Sequence, residues 1–250
     1  MCPSAAARAA LLATVLCLAP SIANAQIATP AYDQAEPGDA SDIPATAPTW
    51  RGAVEDSLRL LAIEHGIRVA FQHKTRAELA GPFFKDYLRS TKMPDTWGDG
   101  DGRAVNYVGH PIHGAASGYI WLDHEDGAHD PDIGWSREYW ASRSRAFAWS
   151  TGYSLQFEFG PLSEASIGNV GLRPNTTGWV DHVVTPIGAL GFIVAEDALD
   201  RYFIRWFESK TNNRVWRASI RMLVNPSRTL SNTAQGRTPW FRTTRSLSER

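Results

Sequence analysis

The sequence predicts a mainly α-helical protein, a single compact domain of about six helices with kinked, glycine-lined helices at its centre. Residues 53–73 place apolar side chains at i, i+4, i+7 and i+8, the repeat of a helix that buries one side. Residues 136–158 begin with Ser136, a residue type that caps helix N-termini. Residues 179–210 form a long, strongly apolar helical segment.

The N-terminus has the pattern of a secretory signal peptide. Arg8 precedes the apolar run AALLATVLCLAP, and an A-x-A motif ends at Ala25. The run is shorter than the roughly 20 apolar residues that span a bilayer, so we expect residues 1–25 to be cleaved after Ala25. Export to the periplasm or the outer membrane is therefore predicted.

Charge and cysteine content exclude several classes of function. The formal net charge is −1, so bulk charge does not predict nucleic-acid binding. Both cysteines, Cys2 and Cys17, lie in the segment that we expect to be removed. The mature chain is therefore predicted to hold no disulfide, no Cys-ligated zinc and no thiol nucleophile.

Composition divides the rest of the chain into three regions. Residues 26–49 are rich in proline and acidic residues and poor in large apolar groups, so they are predicted to be a disordered linker. The helical domain is predicted to cover residues 50–232. Residues 233–250 are predicted to be a polar tail, with Trp240-Phe241 packing back on the domain.

The stretch from Trp97 to Trp121 combines an acidic glycine-rich loop with a cluster of Asn and His residues. The loop lacks the closing Glu of an EF-hand, so its Asp99 and Asp101 are interpreted as part of a solvated turn. His65, in the charged segment 53–73, is also predicted to be solvated. In the helix after the loop, four polar residues at i, i+4, i+7 and i+11 share one face: Asn106, His110, His113 and Ser117.

Glycines and prolines suggest how the central helices pack. Gly114 and Gly118 form a small-xxx-small pair that permits close helix approach. Gly188 lies in a similar smooth strip of the segment 179–210. Pro111 is expected to start or kink the first of these helices, and Pro186 is expected to kink the second.

The polar face supports two competing interpretations. In the first, Asn106, His110 and Asp181 form a buried structural network in a non-enzymatic envelope protein. In the second, a hydrolase of an envelope lipid or glycan uses His110 as general base, Asp181 as its orienting partner and a serine as nucleophile. The catalytic candidates are His110, Asp181, Ser117, Ser163 and Glu164, and the ligand-binding candidates are Asn106, His113 and Thr185.

The structural interpretation is favoured because the sequence carries no complete catalytic signature. It contains no G-x-S-x-G, H-E-x-x-H, P-loop or dinucleotide motif. Glu158 and Glu164 could pair as carboxylates, but Gly160-Pro161 separates them and makes that pairing a weak signal. A metal site at His110 and His113 is a third alternative, and neither a metal nor a cofactor is predicted.

Ten tryptophans are many for a domain of this size. Aromatic residues are common in protein cores, but they also collect at membrane–water interfaces. The apolar run from Val183 to Ala195 is too short to demand a membrane span. The partners predicted by these features are membrane lipid or another envelope protein.

Three runs resemble motifs of a group of exported Gram-negative proteins that carry domains of unknown function. They are Gly81-Pro82-Phe83-Phe84-Lys85-Asp86-Tyr87, Asn106-Tyr107-Val108-Gly109-His110-Pro111 and Thr185-Pro186-Ile187-Gly188. The resemblance would cover most of residues 55–230. It implies an envelope location and a helical domain, and it assigns no catalytic residue.

Overall fold

The part of the chain that the computed structural model describes is mainly α-helical and contains no strand, so the prediction of a mainly α-helical protein is confirmed. The predicted signal peptide and linker lie outside the described residues, as does most of the run 81–87. The described residues are 50–71, 73–79, 87–88, 94, 96–125, 133–167 and 177–247.

The described residues form eight α-helical segments and two π-helical turns. The first half contains α1 (Trp50–Phe71), α2 (His73–Glu78), a π-helical turn (Val105–Gly109), α3 (His110–His124) and α4 (Arg137–Phe159). The second half contains α5 (Trp179–Leu199), a second π-helical turn (Asp200–Ile204), α6 (Arg205–Lys210), α7 (Arg214–Val224) and α8 (Pro226–Ala234).

The helix α3 is the centre of the bundle and packs against α1, α4, α5 and α8. Its close approach to α5 depends on glycine. A Cβ atom on Gly188 would lie 2.6 Å from Cγ of Pro111, and a Cβ atom on Gly114 would lie 3.0 Å from Cβ of Ala189. The close helix approach expected from the glycine spacing is therefore present between these two helices.

Local signals in the sequence account for several helix ends. Pro111 lies in the first turn of α3, which begins at His110 directly after the π-helical turn, so Pro111 starts this helix, one of the two outcomes expected of it. Residues 53–71 lie in α1, as the apolar repeat predicts, and His73 belongs to α2. At α4, the hydroxyl of Ser136 accepts a hydrogen bond from the backbone N–H of Tyr139 at 3.1 Å, as expected of a cap.

The interior of the bundle is unusually polar. Among the described residues, 29 buried residues are polar or charged and 18 are hydrophobic, so hydrogen bonds and ion pairs must satisfy much of the core. Asp197 shows how this is done. Its carboxylate accepts hydrogen bonds from Arg143 Nη2 at 2.7 Å, from the Tyr139 hydroxyl at 3.0 Å and from the Tyr119 hydroxyl at 3.2 Å.

The C-terminal residues pack back on the helices, as the sequence suggested for Trp240-Phe241. The Asn232 side chain donates to the Phe241 carbonyl at 3.2 Å, and Arg245 Nη1 donates to Glu208 at 2.8 Å. The helix α8 extends to Ala234, so the predicted start of the tail at residue 233 falls inside a helix.

Candidate functional site

A loop anchored to the start of α5 forms one wall of a buried polar site. The backbone N–H groups of Trp179 and Val180 donate to the carbonyls of Thr96 and Trp97 at 3.0 and 2.9 Å, which satisfies the exposed donors of a helix N-terminus. Gly178 is required there because a Cβ atom would lie 2.7 Å from the backbone nitrogen of Asp99. The loop thus places Asp99 beside the first turn of α5.

Three buried side chains from three helices meet at the centre of this site. His110 is the first residue of α3, Glu158 lies near the end of α4, and Asp181 lies in the first turn of α5. One donor atom from each lies within 4.8 Å of the other two. We call these three residues the His–carboxylate centre.

The contact between His110 and Asp181 is close but poorly aligned. Nδ1 of His110 lies 3.0 Å from Oδ1 of Asp181. Within the described part of the chain, neither atom makes a hydrogen bond, because donor and acceptor do not point at each other. Two buried atoms with unused capacity therefore face each other inside the site.

Asn106 of the π-helical turn, Asp99 of the loop and Arg68 of α1 border the centre. Asn106 donates to Asp99 Oδ1 at 2.6 Å, and the Asn106 Oδ1 has no hydrogen bond among the described residues. Asp99 is therefore buried and bonded, and the solvated turn expected at this residue is wrong. Arg68 on α1 forms an ion pair with Glu164 and contributes a positive charge to the same region.

A second polar group lies one helical turn further along α3. Nδ1 of His113 lies 3.3 Å from Oε2 of Glu64, and the Tyr153 hydroxyl donates to the same carboxylate at 2.7 Å. His65 stacks on the Phe157 ring, with 5.1 Å between ring centroids, and its Nε2 lies 2.9 Å from the Leu162 carbonyl oxygen. The prediction that His65 is solvated is therefore wrong.

Burial and neighbouring charges shift the protonation of the His–carboxylate centre. Burial opposes a charge on His110, but the carboxylates of Asp181 and Glu158 outweigh it, so the pKa of His110 lies above its ordinary value. Burial raises the pKa of the Glu158 carboxyl to about 8, and the Asp181 charge adds to that rise. Full ionisation of all three groups is therefore disfavoured at neutral pH.

The structure brings some of the candidate residues together and separates others. His110 and Asp181 are in contact, and Asn106 and Thr185 lie four residues from them on the same helical faces. His113 faces Glu64. Each of the remaining candidates has its partners elsewhere: the Ser117 hydroxyl donates to the Gly114 carbonyl at 2.7 Å, Ser163 is bonded to Ser166, and Glu164 is paired with Arg68.

Sequence reasoning missed four residues of the site. Glu158 was considered only as a partner of Glu164, and Asp99 only as part of a turn, while Glu64 and Arg68 were not singled out. In the sequence, Glu158 is recognisable as a carboxylate on the polar side of a predicted helix. Its contact with His110 of α3 and Asp181 of α5 depends on how the helices pack, and residue spacing does not predict that.

The outer surface of α5 is a second candidate functional feature. From Val183 to Leu199, every residue that is exposed or half-buried is apolar, while the polar residues Thr185, Glu196 and Asp197 are all buried. Among the described residues, one helical segment, Trp179–Lys210, is long and apolar enough to cross a membrane by length and composition. We call the surface of residues 183–199 the apolar surface of α5.

Searches of protein-family models, of curated proteins and of solved structures each found no match to this chain. The resemblance to exported Gram-negative proteins therefore stays a prediction.

Proposed function

We propose that this protein is a membrane-associated protein of the bacterial cell envelope that docks on a lipid bilayer through the apolar surface of α5. The observation that carries this proposal is the absence of any exposed polar side chain from residues 183–199. In a protein surrounded by water, such a helix normally carries polar residues on its outer face. Here the polar residues point inward.

Aromatic residues at both ends of the apolar surface support a lipid partner. Trp179 is exposed at the N-terminal end, and Tyr202, Phe203 and Trp206 are exposed at the other. Between Trp179 and Trp206 the helix extends for roughly 40 Å at about 1.5 Å per residue. Tryptophan and tyrosine favour the headgroup region, where an apolar ring and a polar group are both accommodated. A protein partner would not need this arrangement.

A comparison with α1 favours docking through α5. The exposed surface of α1, which packs on α3 as α5 does, mixes the charged residues Arg51, Glu55 and Arg59 with exposed apolar residues such as Val54 and Leu58. Charges in hydrocarbon are costly, so this mixed surface suits lipid less well than the apolar surface of α5. The export signal predicted at residues 1–25 supports an envelope location, and fractionation of washed membranes from expressing cells tests that location directly.

Vesicle flotation tests the docking. The full chain is mixed with vesicles of phosphatidylethanolamine and phosphatidylglycerol, and the bound fraction is measured after density-gradient centrifugation. We expect wild-type protein to float, and we expect Ile187→Asp with Ala195→Asp to bind at least about tenfold more weakly, since burial of one isoleucine is worth more than that.

The matched control places the same charges on α1. Val54 and Leu58 are 46% and 48% exposed and lie one turn apart, so Val54→Asp with Leu58→Asp adds two charges to an exposed apolar pair. This control should float as wild type does. Equal loss in both double variants would show general damage to the fold or to solubility and would contradict docking through α5. A wild-type protein that stays at the bottom of the gradient would also contradict it.

The contact between His110 and Asp181 favours a second candidate function, hydrolysis of an envelope lipid or glycan. His110 would act as general base and Asp181 would orient its ring. The bonding of Ser117 and Ser163 elsewhere favours water as the nucleophile. With His110→Ala, loss of lipid turnover and an intact fold would support this candidate. A lower melting temperature alone would support the buried structural network.

A further inference from the structure

We propose that His110, Glu158 and Asp181 bind one divalent transition-metal ion. This inference goes beyond membrane docking and does not depend on it. The three side chains are 6%, 4% and 4% exposed, and they come from the ends of three different helices. The site is thus held by the packing of α3, α4 and α5 and not by a flexible loop.

The distances suit a shared ion. Donor atoms bound to one zinc ion at about 2.1 Å can lie no more than roughly 4.2 Å apart. The three donors lie within 4.8 Å of one another, and Nδ1 of His110 is 3.0 Å from Oδ1 of Asp181. Around a tetrahedral ion the donors lie roughly 3.4 Å apart, so the longer separations must shorten by about 1 Å, which rotation of the Glu158 and Asp181 side chains can supply.

The bonding at the centre also points to a missing partner. Nδ1 of His110 and Oδ1 of Asp181 are buried, adjacent and without hydrogen bonds among the described residues. Thr185 Oγ1, one turn after Asp181 on α5, and Asn106 Oδ1, one turn before His110, are likewise buried and unbonded within the same residues. Buried polar atoms are nearly always satisfied in folded proteins, so the two unbonded atoms that face each other at the centre fit an absent cation or cation-bound water.

The charge balance favours a cation. Carboxylates of Glu64, Asp99, Glu158 and Asp181 are buried or nearly buried in this region. The positive charge that faces them comes from His110 and from Arg68, which is already paired with Glu164. Buried charge is costly unless it is paired or bound to a metal. A divalent ion at the His–carboxylate centre supplies the opposite charge at the place where the carboxylates converge.

The ligand set differs from the pair His110 and His113 suggested by sequence spacing. His113 points at Glu64, which also accepts the hydrogen bond from Tyr153. His113 is therefore a neighbour of the site and not one of its ligands. One imidazole nitrogen with two carboxylates is a donor set for Zn²⁺, Mn²⁺ or Fe²⁺, since imidazole disfavours Ca²⁺ and Mg²⁺.

Direct metal titration of the full chain tests the assignment. Protein without a polyhistidine tag is stripped with a chelator and titrated with Zn²⁺, Mn²⁺ and Co²⁺, and bound metal is measured by elemental analysis and calorimetry. We expect one ion per chain, a higher melting temperature with metal, and Co²⁺ absorption bands that indicate a nitrogen ligand. Asp181→Asn and Glu158→Gln should each weaken binding by more than about 100-fold.

The chain provides a matched control in His124 and Asp56, whose Nε2 and Oδ2 atoms lie 2.8 Å apart. This is also a His–carboxylate pair in a partly buried place, and Asp56→Asn should leave metal affinity unchanged. Loss of affinity in Asp56→Asn equal to that in Asp181→Asn would overturn the assignment. So would retained binding in both Asp181→Asn and Glu158→Gln, which would locate the ion elsewhere.

The wild-type measurements keep the proposal testable where a variant fails to fold. If folded wild-type protein binds none of the three ions at one per chain, and its melting temperature does not rise with metal, the proposal is wrong. Because no lipid is present in these titrations, their failure would leave docking through α5 unaffected, and failed flotation would leave the metal assignment unaffected.

Discussion

At the scale of single residues, His65 shows how burial couples protonation to stability. Burial lowers the pKa of its imidazole, and the nearby charges of Arg68 and His113 lower it further. The hydrogen bond to the Leu162 carbonyl and the Glu64 carboxylate raise the pKa, but the net shift is downward. The unfolded chain therefore takes up a proton near the ordinary histidine pKa, while the folded chain does so only at lower pH. Stability contributed by neutral His65 is thus lost as pH falls through that window.

We therefore predict that His65→Gln reduces the loss of stability between pH 7 and pH 5. Glutamine keeps an N–H donor near the Leu162 carbonyl but has no group that titrates in this range. Thermal unfolding followed by circular dichroism at pH 7, 6 and 5 measures the effect as the drop in melting temperature. His73→Gln, on the exposed surface of α2, is the control and should show the wild-type drop. If His65→Gln shows the same drop as His73→Gln, buried His65 is not a source of the pH dependence.

At the scale of helices, two glycines of α5 lie in different surroundings, and only Gly188 is part of the fit between α3 and α5. A Cβ atom on Gly188 would lie 2.6 Å from Cγ and 2.8 Å from Cβ of Pro111, a rigid ring that cannot move aside. Nothing lies within 4 Å of a Cβ atom on Gly191, three residues later on the exposed side of the same helix. The same substitution at these positions should have opposite effects.

We predict that Gly188→Ala lowers the free energy of unfolding by about 1–3 kcal/mol, the usual cost of overpacking a core. Gly191→Ala should raise it by up to about 1 kcal/mol, since alanine favours a helix over glycine. Chemical denaturation of the two variants measures the difference. Stabilisation by Gly188→Ala would mean that α3 and α5 do not pack as closely as described.

Helix boundaries that depend on local signals could be predicted from the sequence, and contacts between helices could not. Asn225-Pro226 marks the end of α7 in the sequence, and Asn213 caps its start in the structure. Pro111 signalled a possible start for α3, but the π-helical turn before His110 leaves no simple mark in the sequence. The approach of Glu158 to His110 arises from packing across the break after α4, so no spacing rule could specify it.

At the scale of the whole molecule, the distribution of polarity is the main organising feature. Ionised side chains such as Arg143, Arg221 and Glu196 are among the most deeply buried, while large apolar side chains lie on the surface of α5. The buried charges are paired and hydrogen-bonded, which is necessary for their burial. An interior built in this way allows the apolar residues to face outward, and the proposed docking on lipid would cover those on α5.

The proposed docking through the apolar surface of α5 predicts that this helix lies parallel to the bilayer plane. With the native cysteines replaced by serine, single cysteines at Val183, Ile187 and Ala195 are labelled with an environment-sensitive dye and quenched by lipids brominated at known depths. We expect three similar, shallow depths of about 5–10 Å, as for helices that lie in the interface. A label at Glu55 on α1 should remain in water. A helix that crosses the bilayer would instead place the label at residue 195 or 187 much deeper than the one at residue 183. That result would show that α5 crosses the bilayer and does not dock on its surface. The charged residues on α1 disfavour such insertion.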